Sequence, residues 1–431
     1  MEIFCVVFAL SMALFFYAAT KKIYNPGTIF LGFWSVSLLL SALRLDNASE
    51  VGQEAYIYIL LGLVFFALGA FAYYTLDKKP VLREEYRLEI SDYRLIEIAC
   101  VLVILYSLYR VALVVTFLSQ GYSVWEVRVM HGIAGESGAG TLKGGTVSQL
   151  LHDLIVAPCL YLITPVFAVD IIAGKRNRRF AILAILAITL YSMGSISRSV
   201  WVFLILYLGI ILLVFYKKQD LSPSVRKWIK RIPLFALAIF AVVLWITRSR
   251  SSDSEVNLLY NALAYLSGGI KLFDVHLGEK IADMRTYGAF SLYGFVYPVF
   301  FVLNYLGILP MPQAFTDVTY IKQQLETFVR ISDHVSMNAY STMFFNFYND
   351  LGVPGVILGS FLFGLFCMMA YKAFLRYKNI RTFTCYLILI QFMLFSVARI
   401  YTIYTTRALS LVFLLLLLPK DEGKRISSVA L

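Results

Sequence analysis

The sequence is poor in charged residues. Asp, Glu, Lys and Arg make up 15% of the 431 residues, whereas soluble globular proteins carry about 25%. Hydrophobic residues make up 60% of the chain, and apolar runs of roughly 20 residues, long enough to cross a bilayer as helices, recur from end to end. This composition excludes an ordinary soluble enzyme and predicts an all-α, polytopic membrane protein.

Several motifs of well-known enzymes are also absent. The sequence has no P-loop, no HExxH, no paired histidines and no acidic DxD pair on a cytoplasmic domain. These absences argue against an ATP-driven pump and against an enzyme that uses soluble nucleotide-sugar donors. The five cysteines lie in apolar runs and form no CxxC pair, so we expect small buried side chains and neither a disulfide framework nor a metal site.

The net charge of +12 does not point to nucleic acid. Most Lys and Arg residues lie in short loops between apolar runs, where the positive-inside rule expects them on the cytoplasmic side. We therefore predict no nucleic-acid partner, and the missing motifs give no sign of a cofactor.

The apolar runs predict a single integral membrane domain over 1–431. The first run has no basic segment before it and no small-residue cleavage site after it, so we expect a retained span. The predicted spans are 3–19, 27–43, 56–75, 95–118, 149–171, 180–195, 200–216, 233–247, 342–371, 383–398 and 403–419.

The loop charges predict the orientation. The loops 77–94, 175–179 and 217–231 are strongly basic, whereas the alternate loop 44–55 carries one basic residue. The positive-inside rule then places the N-terminus outside and the C-terminus in the cytoplasm.

Two regions are predicted on the outer side. The loop 119–148 is rich in glycine, with six glycines in 131–145, and is typical of a flexible flap. A large outer region covers 248–341. Its segments 258–277 and 288–308 either both cross the membrane, or both lie on the outer side as re-entrant or interfacial helices, which gives 11 to 13 spans.

Arginines accumulate on this predicted outer side, where they are disfavoured. Each guanidinium stays charged and presents a planar fork of donors that fits phosphate. One such arginine commonly just extends toward lipid headgroups, but a set of them favours binding of a pyrophosphate attached to a lipid. The set comprises Arg128, Arg198, Arg248, Arg250, Arg285, Arg330, Arg399 and Arg407.

A histidine next to a carboxylate is the strongest candidate for a general base. Asp333 and His334 are adjacent at the mouth of a predicted span, and such a pair can accept a proton from a hydroxyl. The alternative is a loop histidine that makes a local hydrogen bond. His131 and His276 are weaker candidates.

Polar residues then enter the span that follows. Asp350 either caps a helix or pairs with one of the arginines. Gly355 and Gly359 have the spacing that lets helices approach closely, and packing alone accounts for it.

The stretch "NAYSTMFFNFYNDLGVPGVILGSFLFGLF" (338–366) resembles the C-terminal signature of bacterial oligosaccharide repeat-unit polymerases, the O-antigen and capsule polymerases of the Wzy type. The segments "SRS" (197–199) and "AYLSGGI" (264–270), and the arginines Arg248 and Arg250 after a span, are similar to motifs of the same family. An arginine–ten-residue–glycine motif of some members is absent here.

The resemblance implies a GT-C-like fold in the bacterial inner membrane and glycosyl transfer at its outer face without metal or nucleotide. The implied substrate is an oligosaccharide on undecaprenyl pyrophosphate, and the implied partners are membrane lipids, a chain-length regulator and a flippase.

The resemblance also implies roles for the candidate residues. Arg248, Arg250 and Arg198 would bind the donor pyrophosphate, and His334 or Asp333 would take the proton of the acceptor. The acceptor sugar or the arginines would be ordered by Asp350, Asn338 and Tyr340, and the glycans would be covered by the glycine flap with Tyr122 and Trp125.

Three alternatives remain. An O-antigen ligase uses the same donor with lipid A-core as the acceptor. A flippase for lipid-linked glycan is expected to carry its charges along a cavity through the membrane, with short loops on both sides. A sensor or scaffold would need a partner domain, which the sequence does not contain.

Overall fold

A computed structural model describes residues 1–78, 86, 88–130, 146–215 and 258–418. The predicted span 233–247, Arg248, Arg250 and the glycine-rich segment 131–145 with His131 lie outside the described residues.

Within the described residues the chain is mostly helical. A π-helical turn, His152–Val156, joins α6 to α7, and the strands β1 (Val329–Arg330) and β2 (Ser336–Met337) form a small antiparallel hairpin. The helices are α1 Glu2–Thr20, α2 Pro26–Ala42, α3 Gln53–Leu76, α4 Arg94–Ser119, α5 Val124–Met130, α6 Thr146–Leu151, α7 Ala157–Ala173, α8 Arg178–Ser195, α9 Ser199–Phe215, α10 Leu258–Leu277, α11 Tyr293–Tyr305, α12 Gln313–Leu325, α13 Thr342–Leu351, α14 Val353–Tyr377, α15 Ile380–Leu394 and α16 Thr405–Leu417.

Six segments are helices long and apolar enough to span a membrane: Glu2–Thr20, Gln53–Leu76, Arg94–Ser119, Val147–Ala173, Arg178–Ser195 and Val353–Tyr377. Four shorter apolar helices, α2, α9, α15 and α16, coincide with further predicted spans. The helical class is thus confirmed, whereas the total of 11 to 13 spans stays a prediction.

Contacts between distant loops show which helix ends lie together. Asn47, between α2 and α3, donates to Asp333 at 2.7 Å, and Trp34 of α2 donates to Ser396, after α15, at 2.9 Å. We call this end of the bundle, at which α2, α4, α8 and α15 end, the site end.

The opposite end is organised by helix caps and one ion pair. Asn25, Asn177 and Asn379 begin α2, α8 and α15, and each side chain accepts a backbone N–H of the first turn. Arg376 bonds both carboxylate oxygens of Asp77 there, at 2.6 and 2.5 Å.

Helices α3 and α14 form the closest packed pair. A β-carbon at Gly69 would collide with the carbonyl oxygen of Phe361, and one at Gly364 with the carbonyl oxygen of Phe66. The two backbones therefore touch, as they do wherever small residues line a helix contact in a membrane.

The predicted span 342–371 is two helices. The chain breaks at Gly352, whose φ of 67° lies in the left-handed region that favours glycine. Gly355 and Gly359 of α14 then pack against Phe347 of α13, which confirms the interpretation of these two glycines as packing residues.

The second uncertain segment, 288–308, forms only a short helix. Helix α11 has 13 residues, about 20 Å at 1.5 Å per residue, which is shorter than the roughly 30 Å of a hydrocarbon core. Helix α10, with 20 residues, is long enough to cross, so both alternatives for this region stay open.

Candidate functional site

Five cationic side chains surround a group of tyrosines at the site end: Arg128, Arg198, Lys322, Arg399 and Arg407. We call this set the basic cluster. Four of its members are arginines that the sequence analysis selected, and Lys322 is new. The members come from α5, from the residue before α9, from α12, from the loop after α15 and from α16.

Arg407 is the most enclosed member that lies within a helix. Only 7% of it is exposed, and its guanidinium carbon lies 3.1 Å from the ring centroid of Tyr161 and 4.4 Å from that of Phe203. Aromatic faces attract a cation through their quadrupole. Among the described residues no carboxylate lies within ion-pair distance of Arg407, so its charge is not neutralised by a direct partner.

Arg399 is 3% exposed and incompletely hydrogen-bonded. Its Nη1 atom lies 3.9 Å from Glu326 Oε1, too far for a hydrogen bond, and has no hydrogen-bond partner among the described residues. The guanidinium also lies 5.4 Å from the ring centroid of Tyr404. A buried donor left unpaired costs about 1–3 kcal/mol, so this side chain is arranged as if to receive an anionic acceptor.

Lys322 belongs to the amphipathic helix α12. Its ammonium lies close enough to Arg399, in the loop after α15, for the two charges to interact. Its ammonium lies 4.4 Å from the ring centroid of Tyr293. Burial, and then the positive charge of Arg399, lower the pKa of Lys322 to about 8, although Glu326 and Asp153 act in the opposite direction. Lys322 therefore loses its charge at a lower pH than an ordinary lysine.

Arg128 and Arg198 form the other side of the cluster. Burial lowers the pKa of the Arg128 guanidinium, and the charge of Arg198 lowers it further. Tyr340 lies between this pair and Arg399: burial raises the pKa of its phenol, whereas Arg399 and Arg198 oppose that shift. The ring of Tyr265 lies 5.8 Å from that of Tyr340.

Helix α13 holds the loop that carries Arg399. The backbone N–H of Thr342 donates to the carbonyl of Ala398 at 3.0 Å, and Asn346 Oδ1 accepts the N–H of Ile400 at 3.0 Å. The stretch that carries the family resemblance therefore builds the platform for a buried arginine.

A glycine of the "AYLSGGI" segment holds the same loop from the other side. A β-carbon at Gly269 of α10 would collide with the carbonyl oxygen of Val397. Only a glycine lets α10 approach the backbone two residues before Arg399.

Asp350 holds a second loop against α13. Its carboxylate accepts the backbone N–H groups of Gly288, Phe290 and Ser291 at 2.9–3.0 Å and the hydroxyls of Thr286 and Ser291. The expectation that Asp350 caps a helix or pairs with an arginine was wrong, because five neutral donors of the loop occupy the carboxylate.

Two further predicted residues make local contacts to backbone carbonyls. Arg285 donates to the carbonyls of Ala282 and Met284 and lies 4.9 Å from the ring centroid of Tyr348. Asn338 donates to the carbonyl of Glu326 at 2.9 Å.

The predicted base lies on the exposed hairpin. Asp333 accepts from Asn47 and forms an ion pair with Arg330 at 3.9 Å. Arg330 is itself 71% exposed and donates to the carbonyls of Ser332 and Asp333. His334 is exposed at the same turn, and Tyr122 is exposed after α4.

A polar cavity of about 360 Å³ opens between α4, α8 and the π-helical turn. His152 bridges two of its lining residues, since Nδ1 lies 2.7 Å from Asp153 Oδ1 and Nε2 lies 2.9 Å from the hydroxyl of Tyr191. The cavity is also lined by Tyr106, Ser107, Arg110, Gln149, Tyr161 and Ser197.

A second, apolar groove of about 530 Å³ runs along one face of α14. Its lining is almost entirely hydrocarbon, and its polar end is formed by Ser291, Asp350 and Thr402, the last only three residues from Arg399. Its apolar wall includes Leu358, Leu362, Phe366, Met369, Leu389 and Phe392.

Four residues of this region, Lys322, Glu326, His152 and Asp153, were not among the predicted site residues. An ionisable pair at the start of an apolar run indicates function by default, and this signal could have found His152 and Asp153. Lys322 has no such signal because α12 has the pattern of an ordinary amphipathic helix, with Phe315, Val318, Ile321 and Leu325 buried. Within the described residues no group of three or more His, Cys, Asp or Glu side chains lies close enough to bind a metal.

Comparisons with protein-family models, with curated proteins and with solved structures find no match to this chain.

Proposed function

We propose that the protein is a membrane glycosyltransferase that joins oligosaccharide repeat units carried on a polyprenyl pyrophosphate, such as undecaprenyl pyrophosphate, into surface polysaccharide. The observation that carries the proposal is the pair of buried guanidinium groups, Arg399 and Arg407, at the site end. One has a donor that is unpaired among the described residues, and the other lies against three aromatic rings with no carboxylate of the described residues within ion-pair distance.

A pyrophosphate would supply both side chains with hydrogen-bond acceptors and negative charge. Its oxygens accept bidentate hydrogen bonds from guanidinium groups, and its charge offsets that of the basic cluster. In the reaction, the acceptor hydroxyl oxygen bonds to the anomeric carbon of the donor glycan. The bond from that carbon to phosphate oxygen breaks, its electron pair stays on the lipid pyrophosphate, and the hydroxyl loses its proton.

Fixed cations stabilise the transition state of this step more than they stabilise the bound substrate. Negative charge on the leaving pyrophosphate grows as the glycosyl bond breaks, and preorganised donors in a water-poor site stabilise that charge in the transition state. The basic cluster is held by α7, α9, α12 and α13, so it needs little rearrangement when the charge develops.

The apolar groove suits the lipid part of the substrate. It runs along α14 over Leu358 to Met369 and reaches Thr402, three residues after Arg399 in the sequence. A polyprenyl chain in the groove would bring its pyrophosphate to the basic cluster. The predicted orientation places this end of the protein outside the cytoplasm, where surface polysaccharides are assembled.

The test is deletion of the gene in its host, followed by gel analysis of the surface polysaccharide and complementation with Arg399→Lys or Arg407→Lys. A ladder that collapses to a single repeat unit, restored by the parent chain and by neither variant, supports the proposal.

Two other outcomes contradict it. Long polymer that stays on the lipid carrier would identify a ligase, which transfers finished glycan to another acceptor. Single lipid-linked units trapped in the cytoplasmic leaflet would identify a flippase.

A further inference from the structure

We infer that Asp153, His152 and Tyr191 form the proton-accepting relay for the acceptor hydroxyl, and that the 360 Å³ cavity they line binds the acceptor sugar. This inference rests on the proposed function and adds the identity of its base. It differs from the expectation drawn from the sequence, which placed the base at Asp333 and His334.

The three side chains have the geometry of a relay. With its carboxylate ionised, Asp153 accepts the Nδ1–H of His152 at 2.7 Å, which leaves the lone pair of Nε2 directed at the hydroxyl of Tyr191 at 2.9 Å. A carboxylate that fixes the tautomer of an imidazole in this way prepares the opposite nitrogen to take a proton. The protons are assigned here from the hydrogen-bond partners.

The local backbone places these groups at the cavity. His152 begins a five-residue π-helical turn within the apolar segment Val147–Ala173. Such turns inside α-helices recur at functional sites because they change the direction in which side chains point. Here the turn presents two consecutive ionisable residues, His152 and Asp153, to the same cavity.

The cavity has the chemistry of a sugar site. Its volume falls within the range of small-ligand pockets, about 300–1,000 Å³. Tyr106 and Tyr161 offer aromatic faces, while Gln149, Ser195 and Ser197 offer donors and acceptors for sugar hydroxyls. Ser107 also lines it, is 1% exposed, and has a hydroxyl with no hydrogen-bond partner among the described residues.

The cavity adjoins the basic cluster through one residue. Tyr161 lines the cavity and its ring lies against the guanidinium of Arg407 at 3.1 Å. Asp153 also lies close enough to Lys322 to raise that lysine's pKa. An acceptor in the cavity therefore lies next to a donor whose pyrophosphate is held by Arg399 and Arg407.

The proton transfer accompanies the glycosyl transfer described above. As the acceptor oxygen bonds to the anomeric carbon, its proton passes to the Tyr191 oxygen, and the Tyr191 proton passes to His152 Nε2. Asp153 stabilises the imidazolium that results. The proton later leaves to water, which restores the neutral imidazole.

The hairpin pair is less suited to this role. Asp333 is engaged by Asn47 and by Arg330, and His334 lies at an exposed turn. Neither side chain lines the cavity that would hold the acceptor sugar.

The experiment compares His152→Gln, Asp153→Asn and Tyr191→Phe with Arg407→Lys and His334→Gln in the gene-deletion strain. Three quantities are measured: the polysaccharide ladder, the amount of each variant in the membrane, and the binding of undecaprenyl pyrophosphate to the purified full-length protein. We expect the three relay variants to lose about 100-fold or more of the polymer while they bind the lipid pyrophosphate within about twofold of the parent.

The outcomes separate the relay from the proposed function. If polymer is normal in His152→Gln and Asp153→Asn but is lost in Arg407→Lys, the relay is wrong and the proposed function stands. If polymer is then also lost in His334→Gln, the base lies on the hairpin. Normal polymer in Arg407→Lys as well overturns the proposed function. If His152→Gln or Asp153→Asn is absent from the membrane, Tyr191→Phe, which removes one hydroxyl and keeps the ring, decides in its place, and normal polymer in it overturns the relay.

Discussion

At the scale of single residues, the chain buries two guanidinium groups, which is energetically costly in a membrane protein. Arg407 lies in the first turn of an apolar helix, and Arg399 is buried without full hydrogen bonding. Both side chains cost free energy as they stand. Binding of an anion would offset that cost, which is why these two arginines carry the functional proposal.

Replacing Arg407 by Lys tests the guanidinium itself. Lysine keeps the charge but loses the planar group that stacks on Tyr161 and binds phosphate bidentately, so we expect polymer to fall at least about tenfold. The same change at Arg94, which is 88% exposed at the opposite end, is the matched control and should leave the ladder unchanged. Equal ladders from both variants would contradict the role of the guanidinium and, with it, the proposed function.

Lys322 gives the site a dependence on pH. With a pKa of about 8, the ammonium is charged below pH 8 and neutral above it. Affinity for undecaprenyl pyrophosphate should therefore fall as the pH rises from 7 to 9.5. Binding titrations across this range measure the effect.

The matched variant for that measurement is Lys322→Arg, because a guanidinium stays charged throughout the range. The variant should remove most of the fall, while Glu326, Asp153 and Arg399 around it are unchanged. An identical fall in the variant would assign the pH dependence to other groups.

Sequence patterns identified the buried arginines of the basic cluster but not Lys322. Arg399 and Arg407 stand out because charge is rare in apolar runs. Lys322 lies in a polar stretch where charge is ordinary, and it reaches the cluster only because α12 folds over Tyr293. Contacts between residues that are distant in sequence leave no periodic signal, so this part of the site required the fold.

At the scale of elements, α13 is the part around which the site is assembled. Its first turns hold the loop of Arg399, and its last turn, through Asp350, holds residues 286–291. The helix has only ten residues, yet it fixes two loops that are about 110 residues apart in sequence.

Replacing Asp350 by Asn should destabilise this assembly. The amide presents one oxygen and an NH₂ group to five donors, so at least two donors lose their acceptor. We expect the free energy of unfolding to fall by about 2 to 4 kcal/mol, measured as a lower melting temperature in detergent. Asp283→Asn, at an exposed position near the same loop, should change it little, and equal melting temperatures would contradict the structural role of Asp350.

Two glycines in helices offer a sharper contrast. Gly269→Ala places a methyl group on the carbonyl of Val397 and should displace the loop of Arg399, with loss of polymer and of lipid-pyrophosphate binding. Gly209→Ala in α9 meets no atom within 4 Å and should be neutral or stabilise the helix by up to about 1 kcal/mol. Equal polymer and equal lipid-pyrophosphate binding in the two variants would contradict this prediction.

Helix positions were predictable because apolar runs of membrane length have few alternatives. The breaks were less predictable. The sequence predicts a turn between the spans 383–398 and 403–419, but not the contacts with α10, α13 and Trp34 that hold the loop 395–404. The break at Gly352 depends on Asp350, whose partners lie about 60 residues earlier in the chain.

At the scale of the whole molecule, the two ends differ in chemistry. The site end carries buried cations, tyrosines and a polar cavity, whereas the opposite end carries asparagine caps and the Arg376–Asp77 pair. A chain built in this way is expected to keep one orientation in the membrane.

Cysteine labelling tests that orientation. Glu50 is 76% exposed at the site end and Arg94 is 88% exposed at the other. A maleimide that does not cross membranes should label Glu50→Cys in spheroplasts and should label Arg94→Cys only after lysis. The parent chain is the background control, since four of its cysteines are buried and Cys385 is partly buried. Labelling of Arg94→Cys alone in intact spheroplasts would reverse the predicted topology.

The enclosure of Arg407 between aromatic rings has a consequence for biogenesis. Helix α16 has 13 residues, about 20 Å, and an arginine near its start makes entry into lipid costlier still. The rings that contact this arginine belong to α7 and α9, which leave the ribosome about 200 to 250 residues earlier. Helix α16 is therefore expected to be a poor substrate for the translocon by itself and to reach its final position only after α7 and α9 have packed.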